Sequence, residues 1–249
     1  ACACDAAKQG LDALDRYEPT LRAYLPSRSA GEYARSRALA ICRRLVATHC
    51  LYGVDRNPLA IALTKLSIWL EAHAEGYPLT FLDHRIVRGD SLTGPFLGDI
   101  ERLPVGGKPL DPLLARGVAD RIAASVAAAI DKISDLNASV GPDLRELDRK
   151  DSTKRALDAV LAPVVRLAKA WSGAAQRAGR ADDDEWLALA KHVAGTGTWP
   201  AHPTPRQTEL LALGDDALPW DLTFPEVFRS GGFDAVLANP PWDVLQYRT

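Results

Sequence analysis

An amide, two prolines and an indole stand together near the end of the 249-residue sequence, as Asn239-Pro240-Pro241-Trp242. Because proline donates no backbone hydrogen bond, the apolar run from Ala235 to Ala238 is predicted to be a buried strand that ends in a rigid loop. That loop would present an amide oxygen, a backbone carbonyl without a sheet partner and a large aromatic ring. Such a group of acceptors beside a stacking surface suits a planar ring that bears an amino group. A proline-ended edge strand with Trp242 in a core is the alternative, purely structural interpretation.

Two acidic residues follow other apolar segments that are typical of strands. Asp55 ends the segment 50–55, and Asp90 follows the segment 85–88. In open α/β sheets, ligands bind outside the carboxyl ends of the strands. An acid such as Asp55 can accept hydrogen bonds from both hydroxyls of a ribose, while Asp90 can accept one from an adenine amino group whose ring Leu92 covers. Either acid alone could be a helix cap or turn residue, but the two together indicate a site for a nucleoside cofactor.

The elements around these acids follow a regular order. Asn57-Pro58 opens a helix of good helix formers from Leu59 to about Ala74, with proline in the first turn, where its missing N–H costs nothing. This helix is apolar over most of its surface, which predicts that it packs against a sheet. The order strand, acid, helix, strand, acid is typical of a parallel, doubly wound sheet.

A long helical region separates these strands from the final one. Glycine and proline predict a loop from Gly94 to Gly107, and 3.6-residue periodicity then predicts two antiparallel helices joined near Gly141-Pro142, followed by a shorter third helix. The predicted ranges are Pro112 to Ala138, Leu144 to Arg180, and Trp186 to Val193, the last capped by 182–185. Roughly 100 helical residues exceed the usual connection of a few residues, so we interpret them as an insertion with its own function.

The predicted fold class is therefore α/β, a partial Rossmann-like sheet with a large helical insertion. Two further helices are predicted upstream of the first strand, a weak one over 5–24 and a better one from Glu32 to Thr48 with arginines on its surface. The predicted division of the chain is 1–107 for the upstream helices and two sheet strands, 108–200 for the insertion, and 201–249 for the return to the core and the Asn-Pro-Pro-Trp loop.

Composition restricts the function classes. The chain is 47% hydrophobic and 25% charged with a net charge of −2, which is typical of a soluble globular protein without a basic surface over the whole molecule. No apolar run is long enough to span a membrane and no signal peptide is present, so we expect a cytoplasmic protein. The four cysteines match no usual zinc spacing, and we expect reduced thiols and no metal. The lack of methionine and the opening Ala1-Cys2-Ala3-Cys4 predict a piece of a longer protein.

Three segments give the chain a resemblance to a known family. They are Leu51-Tyr52-Gly53-Val54-Asp55-Arg56-Asn57-Pro58-Leu59-Ala60, Arg88-Gly89-Asp90-Ser91-Leu92 and Ala238-Asn239-Pro240-Pro241-Trp242. The chain resembles the S-adenosylmethionine-dependent DNA adenine-N6 methyltransferases of the large restriction-modification and phage-defence type. The resemblance covers about 50–95 and 221–245, and the Asn-Pro-Pro-aromatic element is its most specific part.

The resemblance implies a function for each of these residues. Asn239, through its side-chain oxygen, and Pro240, through its carbonyl, would accept hydrogen bonds from the exocyclic amine of a flipped adenine in DNA, on which Trp242 would stack. Positioning of the amine for in-line methyl transfer would supply most of the rate. Cofactor-binding residues would be Asp55, Asn57, Asp90 and Leu92. DNA would be the macromolecular partner, with subunits of a defence system as further ones.

The sequence departs from the family pattern in one respect. The glycine-rich turn that follows the first strand in the family, and that holds the methionine end of the cofactor, does not occur in the 249 residues. Gly195-Thr196-Gly197 is not a substitute, because it follows a predicted helix. The family order places the missing turn before Ala1, and target recognition or nuclease segments after Thr249. We therefore expect weak or no cofactor binding, and no activity, from this chain alone.

Two other functions compete with adenine methylation. Methyltransferases that act on cytosine N4, guanine N2 or protein glutamine use the same Asn-Pro-Pro-aromatic arrangement. A non-catalytic scaffold or DNA-binding remnant could also keep the fold. A nicotinamide dehydrogenase has no support, because no Gly-x-Gly-x-x-Gly precedes Asp55.

Overall fold

The computed structural model describes residues 40, 42–44, 46–72, 82–137 and 144–239, which form a mostly helical structure with a small parallel sheet. The predicted mixed α/β class is confirmed at this level. The predicted helix over 5–24 lies outside the described residues. The predicted helix from Glu32 to Thr48 is helical at its described positions, which are 40, 42–44 and 46–48.

Two short strands form the sheet. Strand β1 spans Gly53–Asp55 and strand β2 spans Ile86–Arg88, and they pair in parallel with Asp55 opposite Arg88. Both predicted strands are confirmed, although each has only three residues. The parallel arrangement places the carboxyl ends of β1 and β2 at the same edge of the sheet.

Helix α1 spans Pro58–Glu71 and connects the two strands. The side chain of Asn57 caps it, since Oδ1 accepts the backbone N–H of Leu59 at 2.9 Å. One face packs on the sheet, where Ile61 and Ile68 join a small apolar cluster that includes Ile86 of β2. On the rest of the helix surface, four leucines are 46–63% exposed: Leu59, Leu63, Leu66 and Leu70. The predicted packing against the sheet is therefore confirmed for one face only.

The helical region begins with a short turn, helix α2, at Leu97–Ile100. Helices α3, Pro112–Asn137, and α4, Leu144–Arg177, follow and match the two predicted long helices closely. Helix α5 spans Arg180–Thr196 and begins six residues before the predicted Trp186. Its end at Gly197, a residue with a φ of 71°, confirms that the Gly-Thr-Gly sequence terminates a helix.

The earlier start of α5 results from a buried acid. Asp182 is fully buried, and its carboxylate accepts the backbone N–H of Gly179 at 3.1 Å and a hydrogen bond from Arg206 Nε at 2.7 Å. The acid thus caps the first turn of α5 while its charge is balanced by a guanidinium from another helix. Sequence reasoning placed this acid in a capping segment but did not extend the helix past it.

Three further helices follow within the described residues: α6 at Pro205–Leu213, α7 at Trp220–Thr223 and α8 at Pro225–Arg229. They were not predicted as separate helices. Leu210 of α6 and Leu222 of α7 are fully buried in the same apolar core as Trp186 of α5 and the inward faces of α3 and α4. The helical region and the segment that follows residue 200 therefore share one core.

The predicted buried strand from Ala235 to Ala238 is wrong. These residues belong to no strand, Val236 is 74% exposed and Leu237 is fully exposed. A strand requires a neighbour that takes its backbone hydrogen bonds and covers its side chains, and no described backbone segment pairs with this run. The apolar pattern is compatible with a strand, but the pattern alone does not supply a backbone segment for it to pair with.

Candidate functional site

Asp55 ends β1 and turns the chain into α1. Its Oδ1 accepts the backbone N–H of Asn57 at 2.7 Å, and Asn57 in turn caps the helix. The second carboxylate oxygen of Asp55 makes no hydrogen bond or ion pair with any described residue, and the side chain is exposed. Asp55 therefore combines a locally fixed orientation with an unused acceptor at the sheet edge.

Asp90 lies two residues beyond β2 at the same edge. The backbone N–H of Gly89 donates to the Asp55 carbonyl at 3.0 Å, which continues the pairing of the two strands to this point. Asp90 Oδ1 accepts the backbone N–H of Leu92 at 2.9 Å, and the side chain is only 16% exposed. Leu92 is 69% exposed and offers an apolar surface beside the acid. The structure thus brings Asp55 and Asp90 to one sheet edge, as predicted.

A third segment, which sequence reasoning missed, extends this edge. The backbone N–H of Asp90 donates to the carbonyl of Asp216, and Asp90 forms an isolated parallel bridge with Ala217. Gly94 permits the close approach, because a Cβ at this position would lie 1.7 Å from the carbonyl oxygen of Leu218. The sequence signal was weak, since Gly214-Asp215-Asp216 repeats only the glycine-acid step of Gly89-Asp90.

Two arginines bridge the acids of this edge. Arg56 places Nη1 3.5 Å from Asp90 Oδ2 and Nη2 3.4 Å from Asp216 Oδ2. Arg88 Nη2 donates to Asp216 Oδ1 at 2.8 Å, and Arg88 Nε donates to the backbone carbonyl of Arg56 at 3.2 Å. The charges of Asp90 and Asp216 are therefore balanced by guanidinium groups at the end of the sheet.

An aromatic cluster ties the segment that leads to Asn239 to this edge. The ring of Phe233 lies 5.4 Å from that of Tyr52 and 5.8 Å from that of Trp220, both in edge-to-face geometry. Tyr52 directly precedes β1, and Trp220 Nε1 donates to the carbonyl of Ser91 at 3.0 Å. Phe233 thus packs the chain, six residues before Asn239, against two aromatic residues, one next to β1 and one hydrogen-bonded to the turn after Asp90.

A partly buried hydrogen bond links the same cluster to α8. The Tyr52 hydroxyl donates to Glu226 Oε1 of α8 at 3.0 Å, and the Arg85 guanidinium lies 4.5 Å from the centre of the Tyr52 ring. Burial raises the pKa of Glu226 above its ordinary value, although Tyr52 and Arg85 favour its charged form. Burial also raises the pKa of Tyr52, which keeps the hydroxyl protonated as a donor.

The target-base residues predicted from the sequence are only partly within the described chain. Asn239 is the last described residue and its side chain is exposed. Pro240 and Trp242 lie outside the described residues. The predicted cofactor residues Asp55, Asn57, Asp90 and Leu92 are all described, and they gather at the sheet edge.

The described chain also contains a cavity beside β2. This cavity of about 500 Å³ lies between β2, α4 and α7, and four of its polar lining residues form two ion pairs, Lys154 with Asp158 and Lys169 with Asp215. No group of three or more His, Cys, Asp or Glu side chains that could hold a metal ion occurs among the described residues. Within the same residues, no helix has both the length and the apolar character that crossing a bilayer requires.

Comparison with models of known protein families gives a match. The chain matches the Eco57I restriction-modification methylase family over residues 49–248, which is most of its length. Searches among curated proteins and among solved structures found no match. The matched range begins just before β1 and includes both strand-end acids, the whole helical region and the Asn-Pro-Pro-Trp sequence. The chain therefore belongs to the Eco57I restriction-modification methylase family.

Proposed function

We propose that this chain carries the adenosine-binding acids and the target-base loop of an enzyme that transfers a methyl group from S-adenosylmethionine to N6 of adenine in DNA. The host system would be one of restriction-modification or phage defence. The observation that carries the proposal is the sheet edge itself, where Asp55 and Asp90 lie at adjacent strand ends and the Phe233 cluster anchors the approach to Asn239. A larger Rossmann-like sheet around β1 and β2 is part of the proposal.

The acceptors at this edge fit the adenosine part of the cofactor. Asp55 has one carboxylate oxygen without a partner among the described residues, which suits a ribose hydroxyl donor. Among the described residues, Asp90 Oδ2 faces only the Arg56 guanidinium, and it would accept a hydrogen bond from the adenine amino group, beside the exposed Leu92. Asn57 would contribute indirectly, because its backbone N–H donates to Asp55 Oδ1 and so fixes the orientation of that carboxylate. When bound, S-adenosylmethionine supplies an electrophilic methyl group on its sulfonium.

The target half of the site would act by holding an amine. The Asn239 side-chain oxygen and the Pro240 carbonyl would accept hydrogen bonds from the exocyclic amine of the flipped base, which keeps the nitrogen lone pair directed at the methyl group. Stacking on Trp242 would offset part of the unstacking cost of a few kcal/mol. No strong base is needed, because the amine nitrogen would attack the methyl carbon before it loses a proton. The methyl–sulfur bond would break as the new bond forms, S-adenosylhomocysteine would leave, and the proton would pass to water. Positioning is then the main contribution of the chain to the rate.

Substitution of Asn239 tests the proposal. Asn239→Ala, made in the protein as its gene encodes it, is expected to lower methyl transfer at least about 100-fold, the scale for loss of one preorganised hydrogen-bonding group. The measurement is transfer of tritiated methyl to DNA, followed by nucleoside analysis for N6-methyladenine. Lys191→Ala, on the exposed surface of α5, is the control for effects of substitution alone. Undiminished methylation by Asn239→Ala would contradict the catalytic assignment, and N4-methylcytosine as product would contradict the choice of base.

A further inference from the structure

The side chain of Arg56 is shared between two carboxylates at the sheet edge. Its two terminal nitrogens lie at nearly equal distances from Asp90 Oδ2, 3.5 Å, and Asp216 Oδ2, 3.4 Å. The backbone of Arg56 is held separately, because its carbonyl accepts a hydrogen bond from Arg88 Nε. The guanidinium can therefore move between the two acids while the backbone stays in place.

This sharing matters if Asp90 receives the adenine amino group, so the inference rests on the proposed function. Asp90 Oδ1 is already used by the Leu92 amide, which leaves Oδ2 for an incoming donor. A guanidinium and an adenine amine are both donors, and they compete for that oxygen. Asp90 is only 16% exposed, so its attraction for Arg56 is less screened than that of a surface pair.

We propose that Asp216 is a positioning residue, which draws Arg56 away from Asp90 and so leaves Asp90 Oδ2 available to the adenine amine of the cofactor. Asp216 has the geometry for this function, since its Oδ1 is held by Arg88 at 2.8 Å while its Oδ2 faces Arg56. Loss of its charge would leave Asp90 as the only carboxylate within ion-pair distance of Arg56 among the described residues. Arg56 would then occupy the adenine acceptor.

The test is a double-mutant cycle on cofactor binding. Asp216→Asn, in the protein as encoded, is expected to weaken binding of S-adenosylhomocysteine about tenfold by calorimetry, a typical coupling for residues in one ion-pair network. Adding Arg56→Ala to this variant is expected to restore wild-type affinity, whereas adding Arg88→Ala is not. Asp216→Asn keeps the backbone carbonyl that accepts the Asp90 amide, so circular dichroism is expected to show an unchanged fold.

An analogue of S-adenosylhomocysteine with hydrogen in place of the adenine 6-amino group distinguishes a positioning role of Asp216 from a structural one. Asp216→Asn is expected to leave the affinity for this analogue unchanged, because the analogue has no amino group from which Asp90 could accept a hydrogen bond. Three results would each overturn the inference. Asp216→Asn could bind S-adenosylhomocysteine as tightly as the wild type, the added Arg56→Ala could fail to restore the affinity, or Arg56→Ala alone could weaken binding. No binding by the wild-type protein would instead overturn the proposed function.

Discussion

At the scale of single residues, each acid of the site is oriented by the backbone that follows it. Asp55 and Asp90 both accept an N–H two residues ahead, and Asn57 does the same to begin α1. Local turns of this kind use one side-chain oxygen, so each of the two carboxylates keeps a second oxygen that the turn does not use. This explains why residues chosen from sequence alone lie at the edge where they were expected. A local turn can be predicted from the types of a few neighbouring residues.

Burial of Glu226 predicts a pH dependence of stability. Burial raises its pKa in the folded state above the ordinary 4.5, so the folded chain holds a proton that the unfolded chain has already lost. The contribution of Glu226 is therefore fully present below pH 4.5 and is lost as the pH rises through the folded-state pKa. We expect the unfolding free energy of the wild type, relative to Glu226→Gln, to fall with rising pH in urea titrations. A flat difference would contradict this.

His49 provides a control of opposite sign. Burial lowers its pKa below the ordinary 6.5, and the charges of Arg85 and Lys150 lower it further. Its contribution is present above pH 6.5 and is lost as the pH falls through the lower folded-state pKa. Relative to His49→Gln, the wild type is expected to lose stability on acidification. The two variants together distinguish the effect of one titrating side chain on the unfolding free energy from a general effect of pH.

At the scale of elements, the crossing of α4 and α6 depends on two glycines. A Cβ at Gly173 would lie 1.9 Å from the carbonyl oxygen of Leu210, and one at Gly214 would lie 1.9 Å from that of Lys169. Because the obstructing atoms belong to the backbone, a methyl group at either position forces the helices apart. We expect Gly173→Ala to lower the unfolding free energy by about 2 kcal/mol or more, as measured by urea denaturation.

Gly195 provides the matched control for Gly173. It also lies inside a helix, α5, but no heavy atom would lie within 4 Å of an added Cβ. Gly195→Ala is expected to raise the unfolding free energy by about 0.5 to 1 kcal/mol, because alanine loses less backbone entropy in a helix. Equal effects of the two substitutions would show that helix propensity, and not the close crossing, decides the result.

Elements with local signals were the ones that the sequence could predict. Asn57-Pro58 begins α1 as expected, and periodicity gave α3 and α4 to within a few residues. Helix α6 also has a local signal, since Thr204 caps it and Gln207 returns the hydrogen bond, but this signal was overlooked. Asp216 could not be found in this way, because its partners Arg56, Arg88 and Asp90 are more than 100 residues distant in the chain.

The same distinction explains the error at Ala235–Ala238. An apolar run of four residues is compatible with a strand, yet strand formation depends on a backbone that can lie far away in the sequence. In the described chain, β1 pairs with β2 and residue 217 bridges to Asp90, and no described segment pairs with this run. Long-range pairing is the information that a single sequence does not hold.

At the scale of the whole molecule, the described part of the chain would supply half of a cofactor site under the proposed function. The proposed acceptors for adenosine lie at the sheet edge, whereas the sequence holds no glycine-rich turn after a strand for the methionine end. We expect calorimetric titration of the 249-residue chain with S-adenosylmethionine to give weak or no binding. Micromolar binding by this chain alone would contradict the expectation, and would indicate that another segment holds the methionine end.

The shared apolar core limits how the molecule can be divided. Leu222 is buried with the inward faces of the long helices, and Ser172 of α4 donates to the carbonyl of Thr93, just beyond the Asp90 turn. The segment that carries Asp216 thus lies between two residues, Leu210 and Leu222, that belong to the helical core. Deletion of α3 to α5 would remove the core against which the segment that carries Asp216 packs. The long helices are therefore a structural requirement of the sheet edge, and we expect that a shortened protein without them would not keep this arrangement.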